Sequence, residues 1–537
     1  MLKRISALTL VLIMCTALFA GCGSKETTSS PSASPAESAA PVEKTVVAGI
    51  NADYTTFDPA NVYEKSAHMI MHSLYETLVQ FDADTQTKIV PGAAESWTIS
   101  EDKLTYTFKL REDIVASTGK TLNATDAAFA ILRTKNLKGN PSFLADPIKD
   151  AVATGDYELT ITLNEVTPSI LAVLTESAFS LYDSDVAKAN GATGDPTTDT
   201  AQAYFDKTSI GSGAFVLTSY TPNAELIMTK SPTYTGTAAK LDKVIFKHMN
   251  DSSMQLMSLQ KGDIDFAFDL TSDQITTLSQ NNVVVNTYPT LDVFTFQMNV
   301  DKTIGGPLAN EDVRKAIYYA VDYDGLCQLA GNDATTPYNI IPDGFAGYLG
   351  VSEIKRDLEK AKQLLTDAGY PDGFTIQCGV IPEMAPDGVS FMDCAVKIQA
   401  DLAEVGIKLE IQSDEVSVYL EKLRGGQYQS CVGMWGPDYL DPASQLAFLP
   451  GETVGLRSNW TAEMSPELAE LCAQAKVEVD TDARAEIFKQ IQQKYTETAG
   501  PILIYLQPNR ALAMSTRVTD VVYTPSYMLD FNLMDVQ

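Results

Sequence analysis

Apolar positions along this chain recur at two spacings, and the spacing assigns the elements. Leu104-Thr105-Tyr106-Thr107-Phe108-Lys109-Leu110 and Leu159-Thr160-Ile161-Thr162-Leu163 alternate apolar with polar, as strands with one buried face do. Thr45 to Ile50 reads as a buried first strand. Phe215-Val216-Leu217 and Leu226-Ile227-Met228 flank Thr221-Pro222-Asn223-Ala224, which predicts a hairpin. Elsewhere the period lengthens. Ile70, Leu74 and Leu78 fall on one face of a helix expected over 66–79, and Asn123 or Thr125 caps a helix reaching Leu132. Asn310-Glu311-Asp312 places a cap and two acids before the stripe Val313, Ile317, Ala320.

The second half repeats the alternation. Leu358, Ala361, Leu365 and Ala368 form a helical stripe that stops at Gly369, with Pro371 just beyond. Ala395 to Val405 predicts a helix stopped by Gly406, and Ile407 to Gln412 follows as an alternating strand. Tyr419 to Leu423 reads as helix, Gly425-Gly426 as its end, and Cys431 to Trp435 as a buried strand. Strand–helix–strand order implies α/β layering, with helices covering the sheets.

The N-terminus carries an address. Lys3 and Arg4 precede an apolar run from Ile5 to Ala20, which is short for a spanning helix at ~20 residues. The ending Leu18-Phe19-Ala20-Gly21-Cys22 resembles a bacterial lipobox, with Phe19 departing from its usual leucine. Residues 1–21 are therefore expected to be a lipoprotein signal peptide and Cys22 the lipidated residue. Residues 22–44, rich in Ser, Pro and Ala, hold too little apolar surface to offset ordering entropy and read as a disordered tether.

Charge narrows the partners. With 39 basic and 69 acidic residues among 537, the net charge is −30, which repels phosphate backbones and argues against a nucleic-acid partner. Beyond the signal, Cys327, Cys378, Cys394, Cys431 and Cys472 are odd in number and widely spaced, without a CxxC; free, buried thiols are expected.

Catalytic patterns are weak. Gly119-Lys120-Thr121 imitates the end of a phosphate loop, but Ile114 stands where that loop needs glycine. Only three histidines occur, with no H-E-x-x-H and no G-x-S-x-G, so neither a catalytic residue nor a cofactor is assigned. His68, His72 and Glu76 would align on one face of a 66–79 helix, spacing suited to a transition metal; a polar helix face is the plainer reading, and no metal is assigned.

Seven blocks, in order, carry a resemblance. They are Pro91-Gly92-Ala93-Ala94-Glu95-Ser96-Trp97 with 104–111; Gly119 to Ala127; Gly211-Ser212-Gly213-Ala214-Phe215; Leu259-Gln260-Lys261-Gly262-Asp263-Ile264-Asp265; Asp312-Val313-Arg314-Lys315-Ala316; Ala368 to Phe374; and Gly436-Pro437-Asp438-Tyr439-Leu440-Asp441-Pro442. From about Thr45 onward the chain resembles the extracytoplasmic solute-binding proteins of bacterial ABC importers, the oligopeptide/dipeptide/nickel-binding family 5. Ala116-Ser117-Thr118 departs from the family's aromatic-Asp-Gly approach to the second block.

The resemblance implies a type II periplasmic-binding-protein-like fold of two lobes closing about a hinge. Lobe I would take 45–75, 204–288 and 506–537 as its base, with an inserted subdomain at 76–203; lobe II would take 289–505. It implies a peptide ligand, most readily an oligopeptide, held between the lobes and passed to separate ABC permease and ATPase subunits by a monomer tethered to the membrane through its lipid anchor. Periplasmic and outer-surface placement both fit, depending on whether the host has an outer membrane. Asp438 would pair with the ligand's α-ammonium, Trp435 and Tyr439 would line its pocket, and the strand bearing Phe294 and Phe296 would pair with its backbone. The dipeptide-selective relatives' Arg is missing, because no Lys or Arg lies between Phe374 and Val396, and Val416 replaces a family aromatic. A non-peptide solute in the same receptor role (nickel chelate, oligosaccharide or other small molecule) and an extracytoplasmic hydrolase or chaperone-like protein are the alternatives.

Overall fold

Two strands cross between sheets, and everything about the site follows from them. In the computed structural model, which describes residues 43–52, 54–82, 88–278 and 282–537, the chain runs from Val283–Pro289 in one sheet into Val293–Met298 in another. It returns from Ile502–Leu506 to Asn509–Ser515. The crossings are tied side by side: Gln507 Nε2 donates to the Thr290 carbonyl at 2.7 Å, and Thr290 Oγ1 donates to the Pro508 carbonyl at 2.7 Å. The signal segment, Cys22 and the tether up to residue 42 lie outside the described residues.

The first sheet has seven strands in the order Val283–Pro289, Asn509–Ser515, Phe266–Ala267, Thr45–Ile50, Lys243–His248, Glu225–Lys230, Phe215–Thr221. Its last two strands are the expected hairpin, paired from Phe215 with Lys230 to Thr221 with Glu225. The second sheet has five strands: Ile407–Ser413, Phe374–Val380, Ser430–Trp435, Val293–Met298, Ile502–Leu506. A third, four-stranded sheet orders Ala94–Ile99, Thr105–Leu110, Glu158–Leu163, Ile148–Gly155. Each sheet has its own apolar core with helices packed on it, which is the α/β layering expected. One lobe is built on the seven-stranded sheet and carries the four-stranded one; the other is built on the five-stranded sheet.

Helix Ala124–Leu137 shows why local sequence is a good guide at starts. The Asn123 side chain accepts from the Thr125 and Asp126 amides while Asp126 reaches back to the Asn123 amide, a complete capping box. The same helix anchors the four-stranded subdomain. Arg133, fully buried, meets Asp58 at 2.6 Å and Asp199 at 2.8 Å. Lys120, the lysine of the imitation phosphate loop, is engaged by Asp126 and Asp185, both at 2.7 Å. The five described cysteines are free, four of them buried.

One expectation fails here. The helix expected over 66–79 spans only Lys65–Leu74, and Tyr75 is extended at φ −136°, ψ 151°. The cause is long-range. Gly213 donates to the Leu74 carbonyl at 3.0 Å, and a Cβ there would lie 2.3 Å from the Leu74 carbonyl carbon. The chain packed against the helix end diverts residues 75–78, so Glu76 leaves the His68–His72 face. No group of histidine, cysteine and carboxylate side chains among the described residues forms a metal cluster.

In strand Val293–Met298 every residue is buried. Phe294 and Phe296 lie in the core of the five-stranded lobe at 0 % exposure, and fully burying each contributes about 1.5–3 kcal/mol that exposure to a crevice would forfeit. Both edges of the strand are occupied, by Ser430–Trp435 and Ile502–Leu506. Its backbone is spent within the sheet.

Candidate functional site

Strand Ser430–Trp435 ends at the crevice between the lobes, and the turn after it carries the chemistry. Trp435 opposes Val293, the first residue of the crossing strand. Its ring packs edge-on to Phe448 at 5.9 Å, the Arg457 guanidinium lies 5.4 Å from its centre, and its indole Nε1 is buried without a hydrogen-bond partner. Gly436 follows because nothing larger fits: a Cβ would lie 2.5 Å from Asp292 Oδ1. Asp292 is itself buried and held by Lys65 Nζ at 2.7 Å, a pair that joins the crossing segment to the start of helix Lys65–Leu74.

Asp438 sits half-buried two residues on. Across the crevice, the Tyr63 phenol donates to its Oδ1. Burial raises the Asp438 carboxyl above the usual carboxylate range, against the opposing pull of the Tyr63 hydroxyl and the Arg457 charge. The Tyr63 phenol is raised in turn, by burial first and Asp438 second. Arg457 is lowered by burial and by the neighbouring Arg424 charge, and its Nε is buried without a hydrogen-bond partner. Tyr439 packs against the core of the four-stranded subdomain, again across the crevice.

Glu176 completes the cluster, and the sequence reading missed it. It is 5 % exposed, with no hydrogen bond to its carboxyl among the described residues. Burial pushes it well above the carboxylate range, and the charge on Asp438 adds to the rise. The one sequence signal was a lone acid inside the apolar stretch Leu171-Ala172-Val173-Leu174-Thr175-Glu176-Ser177-Ala178-Phe179. His68 Nδ1 lies 3.7 Å from it, and burial pushes that imidazole down to about 4, so it is uncharged at neutral pH. The structure thus brings Asp438, Trp435 and Tyr439 to one place, adds Tyr63, Glu176 and Arg457, and leaves Phe294 and Phe296 in the core.

Chemically this is a binding arrangement. Two desolvated carboxyls beside an indole face favour a cation over water, since a buried carboxylate without a counter-charge is costly. One guanidinium nearby can take an anionic group.

Comparison with known proteins agrees with the fold. The chain is 25% identical to DppA from Helicobacter pylori, an ABC transporter-associated periplasmic binding protein solved in complex with the peptide STSA; the match covers 92% of this chain and 98% of that one, with a TM-score of 0.76. It is 26% identical over 508 residues to the probable D,D-dipeptide-binding periplasmic protein DdpA of Escherichia coli, covering 93% of this chain and 95% of that one. It is 28% identical over 474 residues to the dipeptide-binding protein of the same organism, covering 84% and 85%. The fold is that of the two-lobed periplasmic binding proteins. Residues 88–455 match the family described as bacterial extracellular solute-binding proteins, family 5 Middle. The chain belongs to that family.

Proposed function

We propose that the protein is the lipid-anchored receptor of an ABC importer, which captures peptides between its lobes and passes them to a membrane permease without catalysing a reaction. On this reading Cys22 carries the lipid, 45–75, 204–288 and 506–537 form the base of lobe I, 76–203 its insert, and 289–505 lobe II. One observation carries the ligand class: Asp438, desolvated and opposite Tyr63, is a carboxyl waiting for a counter-charge inside a closable crevice. A peptide α-ammonium supplies that charge, replaces the Tyr63 phenol, and bonds the closed form better than the open one, which is the condition for ligand-driven closure. Arg457 faces the same crevice and suits the ligand's anionic end. The relatives named for dipeptides, and the one solved with a peptide, support the assignment.

Thermal unfolding with a panel of di- to hexapeptides tests it. Cognate peptides at 100 times Kd stabilise the protein by about 2.7 kcal/mol. A panel that leaves Tm unchanged throughout refutes the peptide reading.

A further inference from the structure

Behind Glu176, the seven-stranded lobe holds a cavity of about 350 Å³. That lies within the ~300–1,000 Å³ of small-ligand pockets. Its charged walls are mostly spoken for. Arg111 is engaged by Glu76 at 2.7 Å, and Glu76 also accepts from Ser212 at 2.8 Å. Asp530 faces His72 Nε2 at 3.6 Å and accepts from the Asn532 amide at 2.9 Å. Glu176 differs. It lines this cavity, is 5 % exposed, and takes no hydrogen bond from the described residues. Its neighbour His68 is uncharged. Tyr527, stacked on His72 at 3.7 Å between centres, gives the cavity an aromatic wall against which an alkyl stem can lie.

We propose that this cavity is a subsite for a basic side chain of the bound peptide, with Glu176 taking its charge. The proposal rests on the peptide reading above and adds a preference to it. A lysine or arginine stem fills the aromatic-walled space and its head meets the Glu176 carboxyl, beside the uncharged His68 imidazole. Tyr63, which meets Asp438, and His68, which lies 3.7 Å from Glu176, stand at the start of one helix, Lys65–Leu74, so the basic residue belongs at the amino end of the peptide. Two cations entering together neutralise two acids that otherwise oppose each other.

Isothermal titration of the full protein with Lys-Ala-Ala and with norleucine-Ala-Ala, which keeps the stem and drops the charge, tests this. Wild type is expected to bind the lysine peptide at least about tenfold more tightly. Glu176→Gln is expected to lose most of that preference, binding the two peptides within about threefold of each other. Equal affinities in wild type overturn the subsite and leave the peptide reading standing; that comparison needs no variant. A preference that survives Glu176→Gln overturns the role of Glu176. Binding of neither peptide, nor of any other in the panel, overturns both readings together.

Discussion

The Tyr63 phenol and the Asp438 carboxyl meet across the crevice, one from the seven-stranded lobe and one from the turn after strand Ser430–Trp435 of the five-stranded lobe. This contact occupies the acceptor that a ligand ammonium needs. Tyr63→Phe removes the competitor, worth about 1 kcal/mol as a single hydrogen bond. The variant should bind peptide about fivefold more tightly, seen by titration calorimetry. Weaker binding would show that the phenol contacts the ligand instead.

Trp435 reports on the same space. Its indole lies under Arg457, with Nε1 unbonded. Ligand entry changes the polarity around the ring, so intrinsic fluorescence should shift on peptide addition. Trp435→Phe should abolish the shift, leaving only the signal of Trp97 and Trp460. A shift that persists would place the ligand elsewhere.

Stability should respond to pH in two opposed ways. Unfolded, Glu176 loses its proton in the ordinary carboxylate range; folded, it holds the proton to higher pH. The native state binds more protons in that window, so the unliganded protein loses stability as pH rises through it. Asp438 acts in the same direction. His68 does the reverse: its folded value is pushed down to about 4 from 6.5, so stability falls as pH drops from 6.5 towards 4. Tm measured from pH 4 to 8 separates them. Glu176→Gln should flatten the alkaline side and raise Tm at neutral pH by about 2 °C. His68→Gln should flatten the acid side. Unchanged profiles would mean that neither group is desolvated in solution.

Lys65 and Asp292 bind the crossing strand to the seven-stranded lobe. Lys65→Met strands a carboxylate that is 1 % exposed. Breaking a fully buried pair costs ~3–5 kcal/mol; with Lys65 itself 35 % exposed, about 2–3 kcal/mol is expected from urea unfolding. The double change Lys65→Met with Asp292→Asn should recover much of it. A loss below ~0.5 kcal/mol would mark the pair as surface-like.

What could be read from the chain, and what could not, divides by range of interaction. Asn123 and its capping box, the hairpin around Pro222 and the stop at Gly369 are set by residues within a turn of one another, and they fall where the pattern puts them. The end of the first helix does not, because it depends on Gly213, which packs against Leu74 from far along the chain. The resemblance put Phe294 and Phe296 beside the ligand, whereas their strand is central in its sheet and buries every position, which only the assembled sheet reveals. Asp438 was reachable through the Gly436 to Pro442 block. Glu176, Tyr63 and Arg457 belong to no motif. They become a site only when the crevice brings three distant segments together.

The α-ammonium contact at Asp438 is tested most directly by calorimetry with a tripeptide and its N-acetyl derivative, on wild type and Asp438→Asn. Wild type should bind the free-amine peptide about 100-fold more tightly than the acetylated one, and the variant should bind the two within about threefold of each other. An unchanged preference in Asp438→Asn would contradict the account at its centre.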